Sequence, residues 1–312
     1  FINMVEQQKP KSLDEELGII PQEFIELDIN HYSPTQLLQP MWLWALMYGA
    51  FNQETRRRNK TNINMFFGTT IGYICQLVFC DVIWTFNSQK VNNKKISEDQ
   101  AFEMLDQEMN AYKPSDEKDK EKYAAFKGLA ADYLKHSIAA WKSIRFTKPV
   151  IAERNVTLPL TYVGMLGRID GEDDLKFGEQ KLRLPRLLKP KKDGTRSVST
   201  TKIDQPLINH CIQTSYYWKS TNKRPFLFYV NDKEHKIFDS SNCDLLTVDA
   251  MNDHFEYLKN QARLRDRHIL NSKGDPLRLL SFHDPDWESF YADIGEENLN
   301  KARELFKQAH NL

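Results

Sequence analysis

Two acids and one amine stand out in the middle of the chain. Asp170 closes the run Gly167-Arg168-Ile169-Asp170, and Phe177-Gly178-Glu179-Gln180-Lys181 follows it. Residues two apart on a strand point to the same face, so Glu179 and Lys181 share one. A hairpin between the two runs brings Asp170 beside Glu179. Two neighbouring carboxylates repel each other unless a cation lies between them, and hard oxygen ligands suit Mg²⁺ or Mn²⁺. A lysine on that face can orient or activate water and offset charge on a phosphate. Together these are the parts for metal-assisted phosphodiester hydrolysis. The spacing alone favours a plainer reading, a hairpin with surface charges, because Asp, Glu and Lys are common. The context moves the balance: apolar residues flank both acids, Gly167 and Gly178 lie shortly before them, and a distinctive helix follows.

The elements that must position these residues can be read from periodicity. After Pro149, Val150 and Ala152, then Val156, Leu158, Leu160 and Tyr162, then Val163, Met165 and Gly167 follow a period of two. This is strand patterning, with a hairpin turn expected near Arg154-Asn155 or Pro159. Phe177, Glu179 and Lys181 continue it. Pro206 to Ser220 reads as a helix, Pro225 to Val230 as a strand, and Lys236 to Phe238 as its partner. Ahead of these lie helices: one opening at Ser33-Pro34, with Ser33 as cap and Pro34 at the first helical position; an apolar one over 66–86; and 97–145, broken at Lys113 to Asp116. Asp249 to Arg267 and Glu296 to Ala309 are helical as well. The order points to an α+β or mixed α/β fold.

The chain has 312 residues, 40% hydrophobic and 12% aromatic, which is the composition of a folded protein. Its 43 basic and 43 acidic residues cancel, so any nucleic-acid surface must come from local clustering. Four cysteines, Cys75, Cys80, Cys211 and Cys243, form no CxxC pair. They fit neither a disulfide framework nor a zinc ribbon, and a reducing cytoplasm is the expected setting. No signal peptide is visible at the start. In Met65 to Trp84 the only strongly polar side chains are Gln76 and Asp81. With Gly68, Thr69, Thr70 and Gly72 inside it, a buried core helix is expected there rather than a membrane span.

The ordered motifs resemble the PD-(D/E)XK nuclease superfamily, in its RecB-like exonuclease branch. Gly167-Arg168-Ile169-Asp170 matches the G-x-(I/V)-D context, Glu179-Gln180-Lys181 the E-x-K motif, and Gln213-Thr214-Ser215-Tyr216-Tyr217 the Q-x-x-x-Y motif. Gln213 and Tyr217 are one helical turn apart and share a face. Ser33-Pro34-Thr35-Gln36-Leu37 resembles the family's opening S-P-S-x-L helix, and Phe67 to Ile71 its G-T-x-(I/V)-H helix. Glu153 resembles an acid often found ahead of the aspartate strand. The likeness spans roughly residues 31 to 240. It implies a restriction-endonuclease-like core, a small mixed sheet flanked by helices, with large helical additions at both ends. The expected layout is one nuclease domain over 1–312: a helical part over 31–145, a catalytic core over 146–240 and a helical part over 241–312. The implied activity is a metal-dependent exonuclease acting on DNA, with a single-stranded end, in recombination, repair or replication. Asp170, Glu179 and the main-chain carbonyl of Gln180 would hold Mg²⁺ or Mn²⁺, Lys181 would position water, and Gln213 and Tyr217 would orient the substrate strand. One departure stands out: Gly72 replaces the family's metal-binding histidine. The cysteines of iron–sulfur relatives have no counterpart, so no cluster is expected, nor is a membrane partner. A phage origin would place the protein in a host cytoplasm.

For DNA contacts the expectation falls on the basic loop Arg183, Arg186, Lys189, Lys191, Lys192 and Arg196, because it directly follows Lys181, and on Tyr216 for stacking on a base. Trp218 shares that prospect less clearly. Arg56-Arg57-Arg58 and Lys60 divide evenly between a phosphate contact and a solvated charge run. Core packing is expected for Trp42 and Trp44, and structural roles for His31, His136 and His210. His283-Asp284-Pro285-Asp286 reads as a turn ahead of a metal site. Two other functions compete: DNA binding on a nuclease scaffold without catalysis, motivated by Gly72, and a mainly helical interaction protein with a coincidental E-x-K.

Overall fold

The computed structural model describes residues 19–52, 55, 62–85, 88–189, 197–289 and 294–311. Arg56 to Arg58, Lys60, Lys191, Lys192 and Arg196 lie outside the described residues. The fold is mixed α/β, and the chain clusters into two compact units. One takes the described residues of Phe1–Arg58, Thr157–Leu166 and Tyr257–Leu312; the other takes those of Asn59–Val156 and Gly167–Glu256. The units are interleaved along the chain.

The first unit is mostly helical. Pro34–Leu37 is capped as expected: Gln36 N–H donates to Ser33 Oγ at 3.2 Å, and Ser33 N–H donates to Gln36 Oε1 at 2.9 Å. Trp42 and Trp44 are buried in the core. His31 and Tyr32 pair in parallel with Gly164 and Met165. The Tyr32 hydroxyl donates to Asp266 Oδ1 at 2.7 Å. The Arg265 guanidinium is buried and donates to the carbonyls of Gln36 and Gln39 at 3.3 and 2.9 Å. His283-Asp284-Pro285-Asp286 is irregular, with turns on either side of it in place of the turn expected within it, and the His283 ring stacks on His268 at 4.8 Å.

The second unit carries the site and is layered. Its elements are α1 (Ile63–Phe79), β1 (Val82–Trp84), β2 (Lys90–Asn92), α2 (Glu98–Ala111), α3 (Glu117–Ile144), β3 (Ile151–Ala152), β4 (Gly171–Glu172), β5 (Lys176–Leu182), α4 (Ile208–Thr221), β6 (Arg224–Val230) and β7 (His235–Phe238). These strands form one mixed sheet in the order β7-β6-β5-β4-β3-β1-β2, and Arg186–Leu187 and Val198–Ser199 pair separately. β5 and β6 are parallel neighbours, with Glu179 beside Leu227 and Lys181 beside Tyr229. Parallel neighbours need a crossover, and α4 supplies it. Side chains alternate across the sheet. Phe228 and Val230 enter the core formed with α1, α2 and α3, which includes Phe67, Ile71, Leu134 and Trp141. Leu227 and Tyr229 pack with Cys211 of α4 on the other face. The register therefore puts Glu179 and Lys181 on the α4 face and Gln180 on the α3 face.

One expectation changes here, and of the two turn positions expected the chain uses the second. The helix predicted over 66–86 stops at Phe79, and Val82–Trp84 is a strand. The last helical carbonyls are met from outside: Asn93 Nδ2 donates to Leu77 O and Cys80 O at 3.0 and 2.9 Å, and Lys95 Nζ to Phe79 O at 2.6 Å. That satisfies the helix end and frees the chain to turn. No turn forms at Arg154-Asn155, which lie inside strand Arg154–Pro159; the chain reverses over 160–163, just past Pro159. No helix among the described residues is long and apolar enough to cross a membrane.

Candidate active site

Asp170 sits between strand Gly164–Ile169 and β4. Its carboxylate extends the ladder past the short β4: Gln180 N–H donates to Asp170 Oδ2 at 2.7 Å. Gln180 is fixed from the opposite face, where the Trp141 indole N–H donates to its Oε1 at 2.7 Å and its Nε2 donates to Ser137 Oγ at 3.1 Å. On the α4 face Glu179 is 2% exposed. Its Oε1 accepts from Lys181 Nζ at 2.8 Å and from Gln213 Nε2 at 3.0 Å. Lys181 Nζ also donates to Gln213 Oε1 at 3.0 Å, and Gln213 Nε2 reaches the Tyr217 hydroxyl oxygen at 3.1 Å. Residues from β5 and α4 thus form one connected set.

Gly167 is what lets α4 come so close. A Cβ there would lie 2.8 Å from a ring carbon of Tyr216 and 2.8 Å from one of Tyr217. Tyr217 also packs edge-on against Phe177.

A cleft of about 900 Å³ opens beside this set. Asp170, Lys181 and Gln180 line it, together with Gly68, Gly72, Tyr73 and Gln76 of α1, Trp84 and Val91 of the β1–β2 hairpin, Glu153 and Arg168. Glu179, Gln213 and Tyr217 stand behind that lining. Tyr217 is buried and its hydroxyl meets Gln213, so it buttresses the set.

The charges are strongly coupled. Burial, then the Glu179 charge, pushes the Asp170 carboxyl well above the usual carboxylate range. Burial likewise raises Glu179 against the pull of the Lys181 ammonium. Burial works against that ammonium, but Glu179 and Asp170 outweigh it and hold Lys181 above the ordinary lysine value. Glu179 Oε2 is buried and has no hydrogen-bond donor. A buried carboxylate oxygen without a donor, beside a second acid, is chemistry a hard cation satisfies. Among the described residues no three His, Cys, Asp or Glu side chains are gathered to hold one metal ion. A Mg²⁺ or Mn²⁺ ion at Asp170 and Glu179 would therefore need main-chain oxygen and water as well. Position 72 adds no ligand: nothing lies within 4 Å of a Cβ built on Gly72.

Comparison with family models, with known proteins and with solved structures finds no match to this chain.

The other candidates divide. Tyr216 is 0% exposed and its hydroxyl donates to Val156 O at 2.5 Å. The stacking role expected for it is therefore corrected to core packing. Arg183 lays its guanidinium over the Tyr229 ring at 4.8 Å and donates to Gln205 O at 3.3 Å, while Arg186 and Lys189 are exposed. His210 has the structural role expected of it. Its Nδ1 is 2.6 Å from the Tyr229 hydroxyl, and burial, with Lys181 and Arg183 adding to it, pushes its pKa down to about 3.

Sequence reasoning passed over two residues at the cleft. Gln76 is 4% exposed, and its Nε2 donates to Glu153 Oε1 at 2.7 Å and to Asp170 O at 3.3 Å. Arg168 pairs with Glu153 at 3.2 Å. The signal for Gln76 was present: it is an amide set among apolar residues in the last turns of a helix.

Proposed function

We propose that this chain is a divalent-metal-dependent nuclease that hydrolyses DNA phosphodiester bonds at strand ends, built on a restriction-endonuclease-like core of the PD-(D/E)XK type. The supporting observation is that Asp170, Glu179, Lys181, Gln213 and Tyr217, singled out by motif, form one coupled set at a cleft. Asp170, Glu179 and the Gln180 carbonyl would hold Mg²⁺ or Mn²⁺, which when bound supplies Lewis acidity toward a phosphate and lowers the pKa of a bound water. Lys181, held protonated by its two acidic neighbours, acts as a donor and a positive charge, orienting water and offsetting charge that develops on the phosphate. Gln213 holds Lys181 and Glu179 in register, and Tyr217 holds Gln213.

The open space above Gly72 supports one alternative, a DNA-binding protein on the same scaffold that does not cut. Digestion of end-labelled single- and double-stranded DNA, with Mg²⁺, Mn²⁺ or chelator, separates the two. We expect metal-dependent loss of label, and a fall of at least about 100-fold in Asp170→Ala and Lys181→Ala. Unchanged digestion in both folded variants rejects the site. Binding without cutting by the wild-type chain favours the alternative.

A further inference from the structure

Arg168, Glu153 and Gln76 line the cleft and have no part in the mechanism above. Arg168 lies two residues before Asp170. Its Nη1 is 3.2 Å from Glu153 Oε2. The other oxygen of Glu153 accepts from Gln76, whose amide also donates to the Asp170 carbonyl. One hydrogen-bonded path therefore runs from the main chain of the central acid to the Arg168 guanidinium.

Stability alone does not account for this path. The Arg168 and Glu153 side chains are 38% and 25% exposed, and an ion pair that open to water contributes little. Yet two costs are met to build it. An amide is buried in the apolar helix α1, and Glu153 takes a left-handed backbone, φ 57°, at the single residue between β3 and strand Arg154–Pro159. Glutamate seldom adopts that conformation, and such positions gather where a ligand is held. The guanidinium fork matches the geometry of phosphate oxygens better than any other side chain.

We infer that Arg168 binds a phosphate of the nucleic-acid strand in the cleft, and that Glu153 and Gln76 are positioning residues that aim its guanidinium. This rests on the nuclease reading, since the phosphate is taken to be that of the substrate strand.

The test uses the full chain and a fluorescent single-stranded oligonucleotide. Binding is followed by anisotropy in chelator across a salt series, and digestion is followed with Mn²⁺. Arg168→Ala should weaken binding and raise KM by about 10- to 100-fold, with kcat moved far less. The slope of log K against log salt should fall by about 0.7. Arg168→Lys, which keeps the charge without the fork, should lie between Arg168→Ala and wild type. Glu153→Gln should raise KM in the same direction with its melting curve unchanged. Wild-type KM and an unchanged salt slope in folded Arg168→Ala, or wild-type KM in folded Arg168→Lys, would overturn the inference while leaving the nuclease reading intact. A wild-type chain that binds the strand but cuts with no metal fails the nuclease reading, and the anisotropy series still decides for or against Arg168. A wild-type chain that does not bind the strand overturns both.

Discussion

With both acids ionised, Asp170 and Glu179 face one ammonium, so Lys181 offsets only part of their charge. Burial and the Glu179 charge raise the Asp170 pKa, and burial raises Glu179. A carboxyl whose pKa is higher in the folded chain than in the unfolded one stabilises the fold below the unfolded value. That contribution is lost as pH rises through the folded value. At neutral pH without metal, these two groups therefore oppose folding. Asp170→Asn keeps an acceptor for Gln180 N–H and removes the charge. It should raise Tm at neutral pH in chelator, by about 2–4 °C for each kcal/mol relieved, and the gain should shrink as pH falls into the acid range. Thermal melts of both proteins across pH check this, and a lower Tm for the variant at neutral pH would contradict it. At this scale the chemistry was legible where spacing decides direction: Glu179 and Lys181 share a face because a strand alternates. Residue type did not reveal direction for Tyr216, an aromatic next to a motif residue that turns wholly inward. Nor did it reveal partners for Gln76, since those come from distant stretches of chain.

At the level of elements, two glycines make opposite demands on their neighbours. Gly72 lies on α1 with open space where a side chain would project, and Gly167 faces two tyrosine rings. Gly72→Ala should stabilise the chain by about 0.5–1 kcal/mol by restricting the unfolded backbone. Gly167→Ala should destabilise it by about 1–3 kcal/mol through overpacking. Urea unfolding of the two variants measures the contrast, and a destabilised Gly72→Ala would show that the space is not open. The elements themselves were largely legible. α2 and α3 separate where Lys113-Pro114 was expected to break them. Strand β5 follows the alternation of Phe177, Glu179 and Lys181, and α4 falls where the helix over Pro206 to Ser220 was expected. The end of α1 was not legible, because Asn93 and Lys95, from beyond the next strand, terminate it. Of the two places where a reversal was expected, the chain takes the one at Pro159; at Arg154, Glu153 redirects the strand without folding it back on itself.

Across the whole molecule, the interleaving of the two units had no signature in composition or periodicity, because it depends on which distant stretches bury one another's apolar faces. The proposed metal acts within the second unit. Hydrogen exchange with and without Mn²⁺ should therefore show slowed amides around Asp170, Glu179 and α4, and no change in Thr157–Leu166 or Tyr257–Leu312. Slowing confined to those latter stretches would move the ion elsewhere. The same interleaving bears on biosynthesis. The early helices of the first unit leave the ribosome long before Tyr257–Leu312, the stretch that completes their core. At ordinary elongation rates that interval is on the order of tens of seconds, during which Trp42 and Trp44 lack the Trp287 and Arg265 side chains that pack on them in the folded chain.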